Sequence, residues 1–271
     1  MTKAVDDGCR LDLELHDALA GHQFFVLYQP KVNLENGAVT GAEALLRWHH
    51  PSGKVLSPGE FVPRLEASGL ITQVGRWVLE TACQAGADWQ SQGHRMFVSV
   101  NVSAKQLQRD GFVDDVRYAV LTSGLDPSML VLELTETALM GGDHATLSRL
   151  AKLKALGVRL AIDDFGTGFS SFAYLQQFPI DVLKIDQCFV SRLTGSPTMQ
   201  AIVEVLVQLG QALGLEVIAE GIETIEQNDV LAALGIVEGQ GYLFSYPVEQ
   251  TDMMALLERG RTGELSVGVR R

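Results

Sequence analysis

The chain has 271 residues, 46% of them apolar and 20% charged, and carries a net charge of −12. Its length is near the ~250 residues typical of one (β/α)8 barrel. The acidic balance argues against broad attraction to a nucleic-acid polymer or an anionic membrane. It still allows a small phosphate, provided that divalent cations sit between the charges. No apolar run approaches the ~18 residues that span a bilayer, and Met1–Asp7 lacks the pattern of a signal peptide. Cys9, Cys83 and Cys188 are odd in number and lack CxxC spacing. They read as free thiols of a reducing compartment, so the expected location is cytoplasmic. A membrane anchor on a longer parent protein is compatible with this.

Residues 11–20 read as a short amphipathic helix with Leu11, Leu15, Ala18 and Leu19 on one face. Phe24–Val32 and Ala38–Arg47 read as strands joined through the turn pair Asn36-Gly37. Helices are expected near 59–67 and 73–91. From Phe97 onward strands and helices alternate, which implies a parallel sheet. One helix starts near Asp143 as N-cap and stops at Gly157. Another starts at Ser196, with Pro197 in its first turn, and stops near Gly214. The face Ile202, Leu206, Leu209 and Leu213 of that helix is assigned to the core. Strands near 25, 42, 98, 131, 160, 183, 217 and 241 make eight, favouring a closed barrel over an open sheet. The expected domain is 11–260, with 1–10 and 261–271 as flanking tails.

Several of these apolar runs stop on a polar residue with no partner nearby in sequence. Phe97–Val100 ends on Asn101, Met129–Leu132 on Glu133, Leu160–Ile162 on Asp163 and Asp164, and Val217–Ala219 on Glu220. In a (β/α)8 barrel the C-terminal ends of the strands share one mouth, where active sites sit. The candidates for such a site are Glu43, Asn101, Glu133, Asp163, Asp164, Lys184 and Glu220. So many acids in one cleft repel one another unless protonated or bridged by cations. All but Lys184 offer oxygen, and none is His or Cys, which selects Mg²⁺ or Mn²⁺ over Zn²⁺.

Asp163 and Asp164 are adjacent at a strand end, where the chain turns. Two such carboxylates can serve two metals of a phosphoryl-transfer site; alternatively Asp164 caps the turn Phe165-Gly166-Thr167-Gly168. Lys184 is a lone cation in the apolar strand Val182–Ile185. A buried lysine must be paired or lose its proton. In an acidic mouth it can orient a water or stabilise phosphate charge; the plainer reading is a structural ion pair with Asp186 or another acid. His49-His50-Pro51 reads as a loop, and no HExxH, P-loop or GxSxG is present.

The motifs, taken in order, resemble a known family. They are Tyr28-Gln29-Pro30, Glu43-Ala44-Leu45 within 41–48, Phe61–Glu66, Asn101-Val102-Ser103, Glu133-Leu134-Thr135-Glu136, Asp163–Gly168, Leu183–Asp186, Glu220–Glu223 and Gln240–Phe244. Over roughly 11–255 the chain is similar to the EAL domain family of bacterial cyclic di-GMP phosphodiesterases, hydrolases of second-messenger signal transduction. The resemblance implies a TIM-like barrel with one antiparallel strand, in keeping with the opening hairpin. It implies hydrolysis of cyclic di-GMP to linear pGpG with two divalent cations, Mg²⁺ or Mn²⁺. The alternative within the family is a catalytically silent cyclic di-GMP receptor, and silent members usually lack metal ligands that this chain retains. Outside the family, a Mg²⁺-dependent barrel enzyme acting on another phosphate or an enolisable substrate is the remaining reading.

By resemblance, Glu43, Asn101, Glu133 and Asp163 match metal ligands, and Asp164 and Glu220 complete the second metal site. Lys184 matches the lysine near the catalytic water and, with Glu43 and Glu220, is expected to be catalytic. Gln29 and Arg47 match substrate contacts, Arg47 suiting a phosphate. Asp186 and Gln240 match the nucleotide pocket. Glu136 matches the residue that steadies the loop near 165–173, which in the family couples catalysis to dimerisation; a homodimer is therefore expected. The stretch before Tyr28 resembles the helix that links such domains to an upstream module, sensory or of the GGDEF type. Departures are Arg64-Leu65 for the commoner Leu-Ala, Ile236-Val237 for Cys-Asp, Phe169 for Tyr, and Tyr246 for a basic residue. Loss of the Asp at Val237 is expected to loosen support near Gln240.

Overall fold

The computed structural model describes residues 2–139, 144–166 and 177–261, with side chains from Leu11 to Gly260. The first helix is longer than its periodicity announced and runs Thr2–Ala20. Leu15 and Ala18 on its inner face are fully buried. Two guanidinium nitrogens of Arg64, on the helix Pro58–Ser68, donate to the Asp12 carboxylate at 3.2 and 2.5 Å. The unusual arginine thus ties the N-terminal helix to the barrel's helical shell.

The strands are β1 (Phe24–Asn33), β2 (Val39–His49), β3 (Val55–Leu56), β4 (Phe97–Val102), β5 (Leu130–Thr135), β6 (Arg159–Phe165), β7 (Val182–Ile185), β8 (Glu216–Ala219) and β9 (Glu238–Gly239). Their order is β1-β9-β8-β7-β6-β5-β4-β2, and β2 pairs back onto β1, closing an eight-stranded barrel. β1 runs antiparallel to both its neighbours. All other pairs around the ring are parallel. β3 pairs with β2 outside the barrel; two residues are too few for a sequence period to reveal.

The last strand lies at 238–239, not near 241. A Cβ on Gly241 would sit 2.1 Å from the Ile222 carbonyl oxygen, so the chain has already turned onto that backbone. The Gln240 carbonyl accepts from the Ile222 amide, and the Leu243 amide donates to the Ile222 carbonyl. The helix expected from Ser196 runs Pro197–Ala212, and Ser196 Oγ caps it by accepting from the Met199 amide. Its buried face is rotated from the expected one. Ile202 is 39% exposed, while Val203, Leu206, Val207 and Gly210 are buried. The segment Ala201–Val207 is apolar on several sides, so periodicity alone could not select the inner stripe. The helix His144–Ala155 lies where expected, followed by Gly157 at φ 92°. Its expected cap Asp143, Phe169, residues 167–173 of the proposed dimerisation loop and the tail beyond 261 lie outside the described residues. Cys83 is buried and Cys188 exposed, both as free thiols.

Side chains alternate across a strand, so one residue in two faces the barrel interior. Val131, Ala161, Val182 and Ile218 pack there as a small apolar cluster against Phe97. Two residues further along the same strands, on the same inward face, stand Glu133, Asp163 and Lys184, with Glu220 just past the end of β8. The residues between them, among them Leu132, Ile162 and Leu183, are buried in the main core outside the ring. An apolar layer therefore floors a charged one.

Candidate active site

Lys184 is the centre of the charged layer. Its side chain is 1% exposed, and Nζ lies 2.6 Å from Glu133 Oε2, 2.6 Å from Glu220 Oε1, 3.0 Å from Asp163 Oδ1 and 3.9 Å from Glu43 Oε2. Burial alone would lower the Lys184 pKa, but Asp163, Glu133, Glu220 and Glu43 outweigh it and hold it well above its ordinary value. Lys184 is therefore an ammonium shared by four carboxylates, and Asp186 is not one of them.

The acids differ in how they are compensated. Burial raises Glu43 and Glu220 above the usual carboxylate range despite Lys184. Burial would also raise Glu133, but Lys184 and Lys31 together hold it down at about 2. Lys31 reaches Glu133 Oε1 at 2.6 Å and is itself buried. Asn101 donates to Glu43 Oε1 at 2.7 Å, and Gln240 Nε2 donates to Glu43 Oε2 at 2.5 Å and Glu220 Oε1 at 3.0 Å. Gln240 is thus more than a pocket wall: it spaces two of the acids. Its Oε1 is buried with no partner among the described residues.

The paired aspartates reach the mouth by a local break in β6. Asp164 has φ 55°, a left-handed value uncommon outside glycine, and the β6–β7 register shifts between Ile162 and Phe165. The break lets two consecutive carboxylates serve one site instead of opposite faces. Asp163, Asp164 and Glu220 each offer an oxygen within 4.8 Å of the others. Burial, then the charges of Asp163 and Asp186, push Asp164 up to about 6. The turn-cap alternative for Asp164 does not account for this grouping. An all-oxygen donor set with several buried negative charges fits hard divalent cations.

Two cavities flank the acids, and Asp164 lines both. One, about 180 Å³, is polar and lined by Gln29, Asp186, Gln187, Glu220, Gln240 and Tyr242 among others. The second, about 440 Å³, is largely apolar, with Leu45, Val62, Pro63 and Val74 in its wall and Asn101 at its edge. Gln29 stands opposite Glu43 in the β1–β2 register, with its amide donating weakly to the Ser245 carbonyl at 3.4 Å. Asp186 N-caps the helix Gln187–Val190 through the Cys188 amide, which fixes it on the polar cavity's wall. Arg47, half-buried on β2, donates to the Leu46 carbonyl, and burial lowers its pKa. Glu136 opens the short helix Glu136–Leu139 next to β5. Tyr246, at a position where the family commonly has a basic residue, packs on Tyr242 with ring centroids 4.4 Å apart and planes tilted by 32°. Val237 is 61% exposed and precedes β9, whereas Gln240 follows it.

Sequence reasoning missed Lys31. It carries the signature that singled out Lys184, a lone cation in an apolar strand, but its partners Ser99 and Glu133 are 68 and 102 residues away.

Fold and cluster together define a TIM-like barrel whose mouth is built of oxygen donors around one lysine. A model of the EAL domain matches residues 12–247. The chain is 44% identical over 243 residues to the bifunctional diguanylate cyclase/cyclic di-GMP phosphodiesterase MucR of Pseudomonas aeruginosa, covering 89% of this chain and 36% of that protein. It is 40% identical over 225 residues to the cyclic di-GMP phosphodiesterase PA2567 of the same organism, covering 83% of this chain and 38% of that one. The solved PaMucR phosphodiesterase, in its c-di-GMP complex, superposes with a TM-score of 0.87 at 43% identity, covering 90% of this chain and 99% of that one. The chain belongs to the EAL domain family. It spans little more than a third of the two curated relatives, at 36% and 38% of their lengths.

Proposed function

We propose that this chain is a metal-dependent phosphodiesterase that hydrolyses cyclic di-GMP to linear pGpG. The observation that carries the reading is the complete set of oxygen donors around Lys184, placed between two cavities that share Asp164. Two cavities either side of one reacting centre suit a dinucleotide with two bases. The naming of MucR and PA2567 as cyclic di-GMP phosphodiesterases supports the same substrate.

Glu43, Asn101, Glu133 and Asp163 would hold one divalent cation, Mg²⁺ or Mn²⁺, and Asp164 with Glu220 would complete the site for a second. When bound, such cations supply Lewis-acid polarisation of a phosphoryl oxygen and a nucleophile available at neutral pH. The chain's own residues do the rest. Lys184 keeps its proton and offers Nζ to developing negative charge on the phosphate. Gln240 keeps Glu43 and Glu220 at a fixed spacing. Arg47 and Gln29 contact the substrate, Asp186 and Tyr242 line the polar cavity for one base, and Glu136 steadies the loop that follows β6. The closed barrel holds these groups before substrate arrives, so little reorganisation is needed at the reaction step.

The chain is read as one module of a longer, homodimeric protein with an upstream sensory or GGDEF-type domain. The two activities in MucR's name and the short span of this chain within it support that. No helix among the described residues is long and apolar enough to cross a membrane. The reading carries with it a cytoplasmic location, where a nucleotide second messenger is met.

The test is cyclic di-GMP turnover by the purified chain with Mn²⁺ and with EDTA, products resolved by chromatography. pGpG appearing only with metal supports the reading. Tight binding with no product under any metal condition would favour the silent receptor and overturn it.

A further inference from the structure

Lys31 enters the barrel from β1, which runs antiparallel to both its neighbours in the ring. Gln29 on that strand pairs with Glu43, near the mouth, and Lys31 pairs with Gly41, one step towards the floor. From there its side chain reaches through the interior past β2 to the next two strands. Nζ lies 2.6 Å from Ser99 Oγ on β4 and 2.6 Å from Glu133 Oε1 on β5. Lys31 is 3% exposed and Glu133 1%. Glu133 therefore has two different oxygens: Oε1 is held from the floor by Lys31, and Oε2 meets Lys184 in the charged layer. Lys184 divides its charge among four acids, whereas Lys31 has this single carboxylate as its ion-pair partner among the described residues.

We infer that Lys31 is a positioning residue for the metal site: anchored by Ser99, it fixes one oxygen of Glu133 from beneath, so that the other faces the mouth as a ligand. The inference rests on the reading of Glu133 as a ligand of a divalent cation. Groups that fasten a metal ligand from behind set its orientation, and losing one typically weakens metal binding about 10- to 100-fold. A methionine at 31 fills much of the same volume but gives Glu133 nothing to hold.

The experiment is Mn²⁺ binding to the folded chain without nucleotide, read from the electron paramagnetic resonance of free Mn²⁺, beside a thermal melt of each variant. Lys31→Met should bind Mn²⁺ about 10- to 100-fold more weakly than wild type, measured well below its melting temperature. Lys31→Met combined with Glu133→Gln should recover melting temperature, because the stranded carboxylate is gone, while Mn²⁺ binding stays weak. Ser99→Ala leaves the ammonium in place but loosens it, and should weaken binding by a smaller factor. A folded Lys31→Met chain with wild-type Mn²⁺ affinity overturns the role of Lys31 and leaves it a structural ion pair. If that variant does not fold, Ser99→Ala decides, and unchanged affinity there overturns the inference equally. A wild-type chain that binds no Mn²⁺ overturns the metal reading of the cluster itself, a result distinct from either.

Discussion

The two ends of the barrel treat charge differently. At the mouth, Glu43, Glu133, Asp163 and Glu220 crowd the Lys184 ammonium; the first three are buried and the Glu220 side chain is 14% exposed. At the floor, Arg159 pairs with Glu216 at 2.6 Å, but Glu216 is 57% exposed and Arg159 rests over the Phe97 ring. The floor pair resembles any solvated ion pair and closes the end of an apolar layer. The mouth cluster costs desolvation that no fold needs, since well-packed apolar residues of similar volume are often as stable or more so. On the proposed reading, the same side-chain chemistry is structural at one end and functional at the other, and variants at the two ends should separate them.

The largest effect is expected at Lys184. Lys184→Ala strands several buried carboxylates at once, and breaking a buried pair typically costs ~3–5 kcal/mol. Turnover should fall about 100- to 1000-fold or more, as when a group that stabilises transition-state charge is removed. Chemical denaturation and pGpG formation measure the two losses; a chain with wild-type rate removes Lys184 from its role.

Gln240→Ala comes next. It leaves every acid in place but frees Glu43 and Glu220 from their shared donor, so the Mn²⁺ concentration for half-maximal rate should rise about 10-fold or more. A change in cyclic di-GMP KM with no change in metal requirement would instead assign Gln240 to the substrate pocket alone.

The floor should respond weakly. Glu216→Gln should cost less than about 1 kcal/mol in a urea melt, because its partner interaction is largely solvated. Smaller still is Glu238, also near the floor, where burial raises the carboxyl above its usual range and Lys31 offsets only part of that. A raised folded pKa means that its contribution is fully present below the ordinary carboxylate range and is lost as pH rises through the folded value. Glu238→Gln should therefore flatten the fall in melting temperature from pH 4 towards neutrality, relative to wild type. Parallel profiles for the two chains would rule that out.

The contrast between the ends also explains what the sequence made legible. Strand-end polar residues stand out because apolar runs of β4, β5, β6 and β8 halt abruptly on Asn101, Glu133, Asp163 and Glu220. Lys184 stood out as a cation inside an apolar strand. Lys31 gave the same local signal, yet its meaning depends on strand direction and on contacts across the barrel, which no local pattern carries. The left-handed Asp164 was equally hidden, since adjacency of two aspartates does not say whether a strand breaks between them. Among the elements, β3 and β9 are two residues each and offer no period, and the helix Pro197–Ala212 is apolar on too many sides for its spacing to single out Val203 and Val207 over Ile202.

The central claim, that one end of this barrel reacts and the other only closes it, comes down to a single comparison of rates. Initial pGpG formation from cyclic di-GMP should be measured for wild type, Glu43→Gln and Glu216→Gln at equal protein and saturating Mn²⁺. The mouth variant should lose about 100-fold or more, while the floor variant stays within about 2-fold of wild type. Equal rates for the mouth variant and wild type, or a comparable loss in the floor variant, would contradict the account.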